Sequence, residues 1–181
     1  MKLARRRACV ALIATGLLGS VASFAAAPTP PVHNKPHNWV PPAYRIYAQQ
    51  LADEVMRDNP ELLSITLQGT PPGEDKTYTM FAGSFPERIG QASDPDDIMV
   101  IDTAITILDP RWNRKDPVRK FIVMMPLEDA QATPIGLAVI VFKNPAGINK
   151  SNGEYLAKAQ VIVDHLRTRI ADKAALFKPA Q

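Results

Sequence analysis

What the chain lacks narrows its function first. Its 181 residues include one cysteine, Cys9, and three histidines. Cys9 has no lipoprotein cleavage motif before it, and no thiol follows it. That excludes a disulfide-stapled scaffold, a thiol nucleophile and a Cys-x-x-Cys-His attachment for haem. No serine stands in a Gly-x-Ser-x-Gly setting. His165 is the one histidine of the folded part, near the apolar stripe of the last helix, and no matching nucleophile is evident for it. The expectation is a protein that is not an enzyme and carries no cofactor. A hydrolase reading would rest on His165 alone.

The start of the chain has the order of a secretory signal. Lys2, Arg5, Arg6 and Arg7 precede an apolar stretch over residues 8–24, and Ala25, Ala26 and Ala27 follow. Ser23 and Ala25 are the small side chains that a signal peptidase requires, which places the cut after Ala25. A cut after Ala27 would set Pro28 against the scissile bond. The competing reading is a membrane anchor, but the stretch falls short of the ~20 residues that span a bilayer. Gly16 and Gly19 also interrupt it. The arginine run raises twin-arginine export, although the residues after it do not follow that signal.

Residues 1–25 are therefore read as a signal peptide, and the chain as exported to the periplasm. Its removal reverses the charge balance. The whole chain is +3, with 21 basic and 18 acidic residues, whereas the part after residue 25 has 17 basic and 18 acidic. The basic character belongs to the export signal. No basic patch interleaved with aromatics remains, which argues against nucleic acid as a partner.

Residues 26–42 read as a leader. Pro28, Pro30, Pro31, Pro36, Pro41 and Pro42 keep it extended and are expected to keep it out of any sheet. His33 and His37 lie within it, and ordering a mobile segment around a metal is costly. Residues 43–178 then form one domain. A helix is predicted from about 42 to 59, with Tyr44, Tyr47, Leu51 and Val55 at helical spacing and Pro60 as its stop. Ser151 and Glu154 form a capping box for a closing helix that runs to about 176. Tyr155, Ala159, Ile162, Leu166 and Ile170 make its apolar face.

Five strands are predicted between these helices: residues 63–67, 77–84, 104–108, 118–125 and 133–143. Leu63, Ile65 and Leu67 alternate with Ser64, Thr66 and Gln68, one side dry and one polar. The last strand is apolar on both faces and so belongs in the middle of the sheet. Residues 126–131 are predicted to turn the last hairpin. Asp94, Pro95 and Asp97 are predicted to cap a short helix that turns Ile98, Ile101 and Ile105 to the core. The fold class is α+β, a five-stranded antiparallel sheet flanked by long N- and C-terminal helices.

This order, with Leu63-Ser-Ile-Thr-Leu67, Tyr78-Thr-Met-Phe-Ala-Gly-Ser84 leading into Arg88-Ile-Gly90, and Pro134-Ile-Gly-Leu-Ala-Val-Ile-Val-Phe142, resembles the PAS-like extracellular sensor fold called Cache. The resemblance covers residues 43–145. It implies a small-molecule pocket walled by the strand that ends in a polar bend and by the Asp-rich short helix. Two departures stand out. Cache domains usually sit between membrane helices that drive a cytoplasmic output, and this chain shows neither. Amino-acid-binding members carry an Arg-x-Trp-Tyr run, which Arg111-Trp112-Asn113-Arg114 does not match.

The resemblance implies ligand-binding roles for Tyr78, Met80, Arg88, Asp97, Asp102, Lys120 and Ile122. Arg88 suits a bidentate grip on a carboxylate or phosphate, with a salt bridge to Asp97 or Asp102 as its structural alternative. Tyr78, Met80, Lys120 and Ile122 are expected across one pocket, or else in the core. Asp94, Asp96 and Asp97 supply oxygen ligands for a hard cation, but helix capping explains them without one. Trp112 reads as a loop anchor or a lid. The resulting expectation is an exported soluble sensor module that binds a small polar or anionic ligand. It would present that state to a separate membrane receptor or transporter. The rival is an envelope interaction domain with a filled pocket, pairing as a homodimer.

Overall fold

The computed structural model of the chain describes residues 35–110 and 116–181. The expected signal peptide, His33, Arg111, Trp112 and Arg114 lie outside the described residues. No described helix is long and apolar enough to cross a membrane.

Helix α1 spans Tyr47–Asp58 and buries Leu51 and Val55 of the predicted stripe together with Ala48 and Ala52, while Tyr47 is half-buried and Tyr44, ahead of the helix, is exposed. It begins five residues later than expected, because the preceding segment pairs with the chain's C-terminal end. Ile46 bridges Pro179, Tyr47 N–H donates to Lys178 O at 2.8 Å, and Ala180 N–H donates to Arg45 O at 2.8 Å. Extended backbone there is incompatible with a helical turn. At the other end Asn59 donates to Val55 O through both its backbone N–H and its side chain.

The strands are β1 (Leu62–Gly69), β2 (Thr79–Gly83), β3 (Ile107–Leu108), β4 (Lys120–Glu128) and β5 (Pro134–Lys143). They form one antiparallel sheet in the order β2-β1-β5-β4-β3, with β5 central as its two apolar faces require. β3 is shorter than predicted because Ala104, at φ 52, and Asp109, at φ 43, break the extended run on both sides. Pro126 is not in the turn as expected but inside β4, opposite Leu137. β3 pairs only with Val123 and Met124, so β4 is an edge strand beyond them and a missing N–H is tolerated. Asp129 builds the actual turn, its Oδ1 accepting from Gln131 N–H at 2.9 Å and Thr133 N–H at 3.0 Å.

Helix α2 (Pro95–Thr103) and helix α3 (Asn152–Arg169) complete the domain. Both carry the capping boxes read from Asp94/Asp97 and Ser151/Glu154. α3 stops at Arg169 instead of near 176. Ile170 turns extended, and Asp172 caps a short 3₁₀ turn, Lys173–Phe177. α1 packs on β1 and β2, and α3 on β4 and β5. Together they close the main core, in which Tyr155 stacks on Phe121 at 4.3 Å between ring centres. The opposite face of the sheet lies under α2, which crosses β1, β5 and β4.

The leader departs from expectation. Residues 36–39 join the sheet region, with His37 bridging Gln91, Asn38 N–H donating to Gly90 O at 2.8 Å, and Ala92 N–H donating to Pro36 O at 3.2 Å. Proline removes only its own donor, so the residues between Pro36 and Pro41 remain free to pair. Trp39 then packs edge-on against Phe177 at 5.9 Å.

Candidate functional site

The α2 face of the sheet is built from cross-strand rows, since opposed residues share a face. Ser64, Val141 and Ile122 form one row, and Thr66, Val139 and Met124 the next. Gln68, Leu137 and Pro126 form the third, which Met80 extends on β2. One residue beyond the Thr79–Ala92 bridge, Met80 N–H donates to Gln91 O, and Gln91 in turn bridges His37. The polar side of β1 was expected to face water, but Ser64, Thr66 and Gln68 are only 3%, 6% and 6% exposed. Gln68 Oε1 accepts from Ser93 Oγ at 2.7 Å.

A tight turn seals the β2 side of this face. Ile89 at φ −63, ψ 127 and Gly90 at φ 90 make a type II turn, closed by Gln91 N–H to Arg88 O at 3.0 Å. Gly90 is required twice over: by its positive φ, and because a Cβ would lie 2.3 Å from Trp39 O. The turn leaves two buried polar atoms without partners, Arg88 Nε and Gln91 Oε1. One is a donor and one an acceptor, on residues whose Cα atoms a β-turn holds within about 7 Å. The Arg88 guanidinium lies over the Phe85 ring, 5.3 Å from its centre. The salt bridge to Asp97 or Asp102 expected as its alternative role is not formed.

Helix α2 forms the roof. Asp97 and Val100 are its buried residues, and Ile101, half-buried, packs against the sheet beside Val100 as expected. Ile98 is half-buried, and Ile105 lies beyond the left-handed cap at Ala104 and is 43% exposed. The capping box turns Asp97 inward, because its Oδ2 accepts Asp94 N–H at 2.9 Å. Burial pushes the Asp97 carboxyl up to about 6, against the opposing help of that backbone bond. Asp94, Asp96 and Asp97 can bring carboxylate oxygens within 4.8 Å of one another. Asp94 pairs with Lys35, and Asp96 is also engaged.

The remaining expected residues divide. Tyr78 sits beside the site, its hydroxyl donating to Asp102 at 2.7 Å, which holds its pKa above the usual value. Ile122 is 1% exposed and packs with Val100, Met124, Leu137 and Val141. Lys120 was expected opposite Tyr78 and Met80 but stands elsewhere. It opposes Lys143, six residues along β4 from Pro126 in Met80's row, which at ~3.3 Å per residue is about 20 Å away with β1 and β5 between. It pairs with Asp116. His165 lines a cleft between α1 and α3 with Glu54, Asp58 and Arg169, on the other side of the sheet.

Gln91, Ser93 and the β1 polar row were missed as site residues. Their signal was indirect: β5 is apolar on both faces, so both faces of its neighbour β1 had to be covered as well.

No protein-family model matches the chain, and no curated protein matches it. Among solved structures, the GAF domain of an Acinetobacter phosphoenolpyruvate-protein phosphotransferase is similar at 12% identity and TM-score 0.45, over 70% of this chain and 85% of that one. The phycocyanobilin-bound GAF domain of a cyanobacterial phytochrome reaches 15% and 0.47, over 70% and 85%. The sensor domain of E. coli DcuS reaches 16% and 0.37, over 64% and 71%. These values lie below the level at which a shared ligand or activity would follow.

Proposed function

We propose that the chain is a sensor-type module that binds a small polar or anionic molecule between α2 and the β1–β2 half of the sheet. One observation carries this reading. Two buried polar atoms without partners, Arg88 Nε and Gln91 Oε1, border a row of three polar side chains on β1 that is withdrawn from water. Burying polar groups unpaired costs about 1–3 kcal/mol each. A face evolved only for packing would carry apolar side chains there. A guest that donates to Gln91 and accepts from Arg88 removes that penalty. Entry requires α2 to shift, because the floor is covered.

The proposal extends to the cell. The first 25 residues support export to the periplasm, where the bound state would be presented to a separate membrane receptor or transporter. The near-complete burial of the α2 face favours one other reading, an interaction or dimerisation domain whose site is filled by its own side chains.

A thermal-shift screen of the purified chain with organic acids, amino acids, purines and metal ions separates the two, since a ligand that binds the folded state raises Tm. The sensor reading expects one chemical class to stabilise the wild type and to lose that effect in Gln91→Leu. A flat screen together with a stable dimer supports the second reading.

A further inference from the structure

The end of the sheet remote from Met80's row gathers apolar and basic side chains. Leu63, Val118 and Ile148 are 39%, 38% and 41% exposed. Leu63 and Val118 line one cleft with Arg119, Lys143 and Pro145. Asn144 N–H donates to Arg119 O at 3.3 Å, tying the two strand ends together. Ile148 follows Gly147, at φ 91, in a turn closed by its own N–H to Pro145 O at 3.2 Å. That turn projects an isoleucine from a loop flanked by Lys143 and Lys150.

The charges at this end do not cancel. Glu61 pairs with Lys158 at 2.8 Å and Asp116 with Lys120, while Glu154 accepts from Ser151 N–H at 2.7 Å and keeps its charge. Lys143 donates to a neutral acceptor, Pro60 O, at 2.7 Å, and Lys150 lies 5.7 Å from the centre of the Tyr155 ring. Lys150 is also attracted by the Glu61 and Glu154 carboxylates. Arg119 and Lys143, which line the cleft beside the apolar side chains, therefore carry the excess positive charge of this end. Cations level with phosphates and an apolar tip below them is the arrangement an interfacial docking surface needs.

We propose that this tip docks on the surface of an anionic lipid bilayer, with Ile148, Leu63 and Val118 entering the headgroup boundary and Arg119 and Lys143 meeting lipid phosphates. The surface lies apart from the candidate ligand site, and the proposal does not depend on that site.

The test is co-sedimentation of the full chain with phosphatidylcholine vesicles, with and without a quarter phosphatidylglycerol. It is paired with amide hydrogen exchange over residues 144–150. Every sample carries the same apolar residues 8–24, so differences between variants read the tip. Binding to the anionic vesicles should weaken about thirtyfold in Arg119→Gln/Lys143→Gln, at roughly fivefold per basic residue. It should also fall in Ile148→Ser, whose exposed position leaves the fold intact. Exchange at residues 144–150 should slow when anionic vesicles are added and stay unchanged with neutral ones. Equal binding by the variants, or unaltered exchange at 144–150 in bound protein, overturns the proposal. Either result would leave an acidic protein surface as the partner of these cations.

Discussion

Replacing Asp97 by Asn should stabilise the protein at neutral pH and not at acid pH. The side chain is 8% exposed and faces the sheet from α2. Its carboxyl is raised from 3.8 to about 6, chiefly by burial, with Asp96 and Asp94 adding and Lys35 opposing. A folded-state pKa above the unfolded one means the folded state holds the proton more tightly. The stability this contributes is complete below about pH 4 and is lost as pH rises through about 6. Two units at about 1.4 kcal/mol each give roughly 3 kcal/mol between those limits. Asparagine keeps an acceptor for Asp94 N–H and cannot ionise. It does forfeit the carboxylate's attraction to the helix N-terminus, roughly 1 kcal/mol.

The net expectation is a gain of about 1–2 kcal/mol at pH 8, which for a domain of this size raises Tm by roughly 4–8 °C. At pH 4 the expected change is nil or slightly negative. The lowered pKa values of Glu54, Glu61 and Glu154 affect both proteins equally and cancel in the difference. Thermal unfolding followed by near-ultraviolet circular dichroism at pH 4, 6 and 8 measures it. A variant that is less stable by the same amount at all three values would refute the reasoning, because Asp97 would then be a satisfied ion.

Tyr155 is 1% exposed and its hydroxyl has no partner, so Tyr155→Phe should raise stability by about 1 kcal/mol in urea unfolding while keeping the stack on Phe121. Gly136→Ala should unfold the protein or reduce its stability by more than about 2 kcal/mol, since the new Cβ would lie 2.4 Å from Gln68 O in the adjacent strand; circular dichroism reads this directly. Trp39→Ala should lower stability by about 1–3 kcal/mol in the same assay, because Trp39 anchors the docked leader on Phe177.

Much of the architecture was legible because it follows from local chemistry. The two capping boxes, the α3 stripe from Tyr155 to Ile170 and the central place of β5 each need only a few neighbouring residues to specify them. What the sequence concealed depends on distant pairing. α1 starts late because Ile46 meets Pro179, and the leader docks because His37 meets Gln91. Pro126 stays in a strand because β3 begins late, at Ile107, and leaves it without a partner on that side. Alternation along β1 told which residues from Ser64 to Gln68 share a face, but not that α2 would cover it, nor that a register break between Leu62 and Ser64 would leave Leu63 exposed. Lys120 was misplaced for a related reason: membership of a strand says nothing of register, and six residues of offset carry it away from Met80.

The central claim is that a small molecule is held between α2 and the polar row of β1. It is tested most directly by mapping ¹⁵N–¹H amide shifts as the stabilising compound from the screen is titrated in. The account predicts saturable shifts concentrated at Ser64, Thr66, Gln68, Gln91 and Asp97. Shifts confined to the cleft between α1 and α3, around His165 and Arg169, would contradict it.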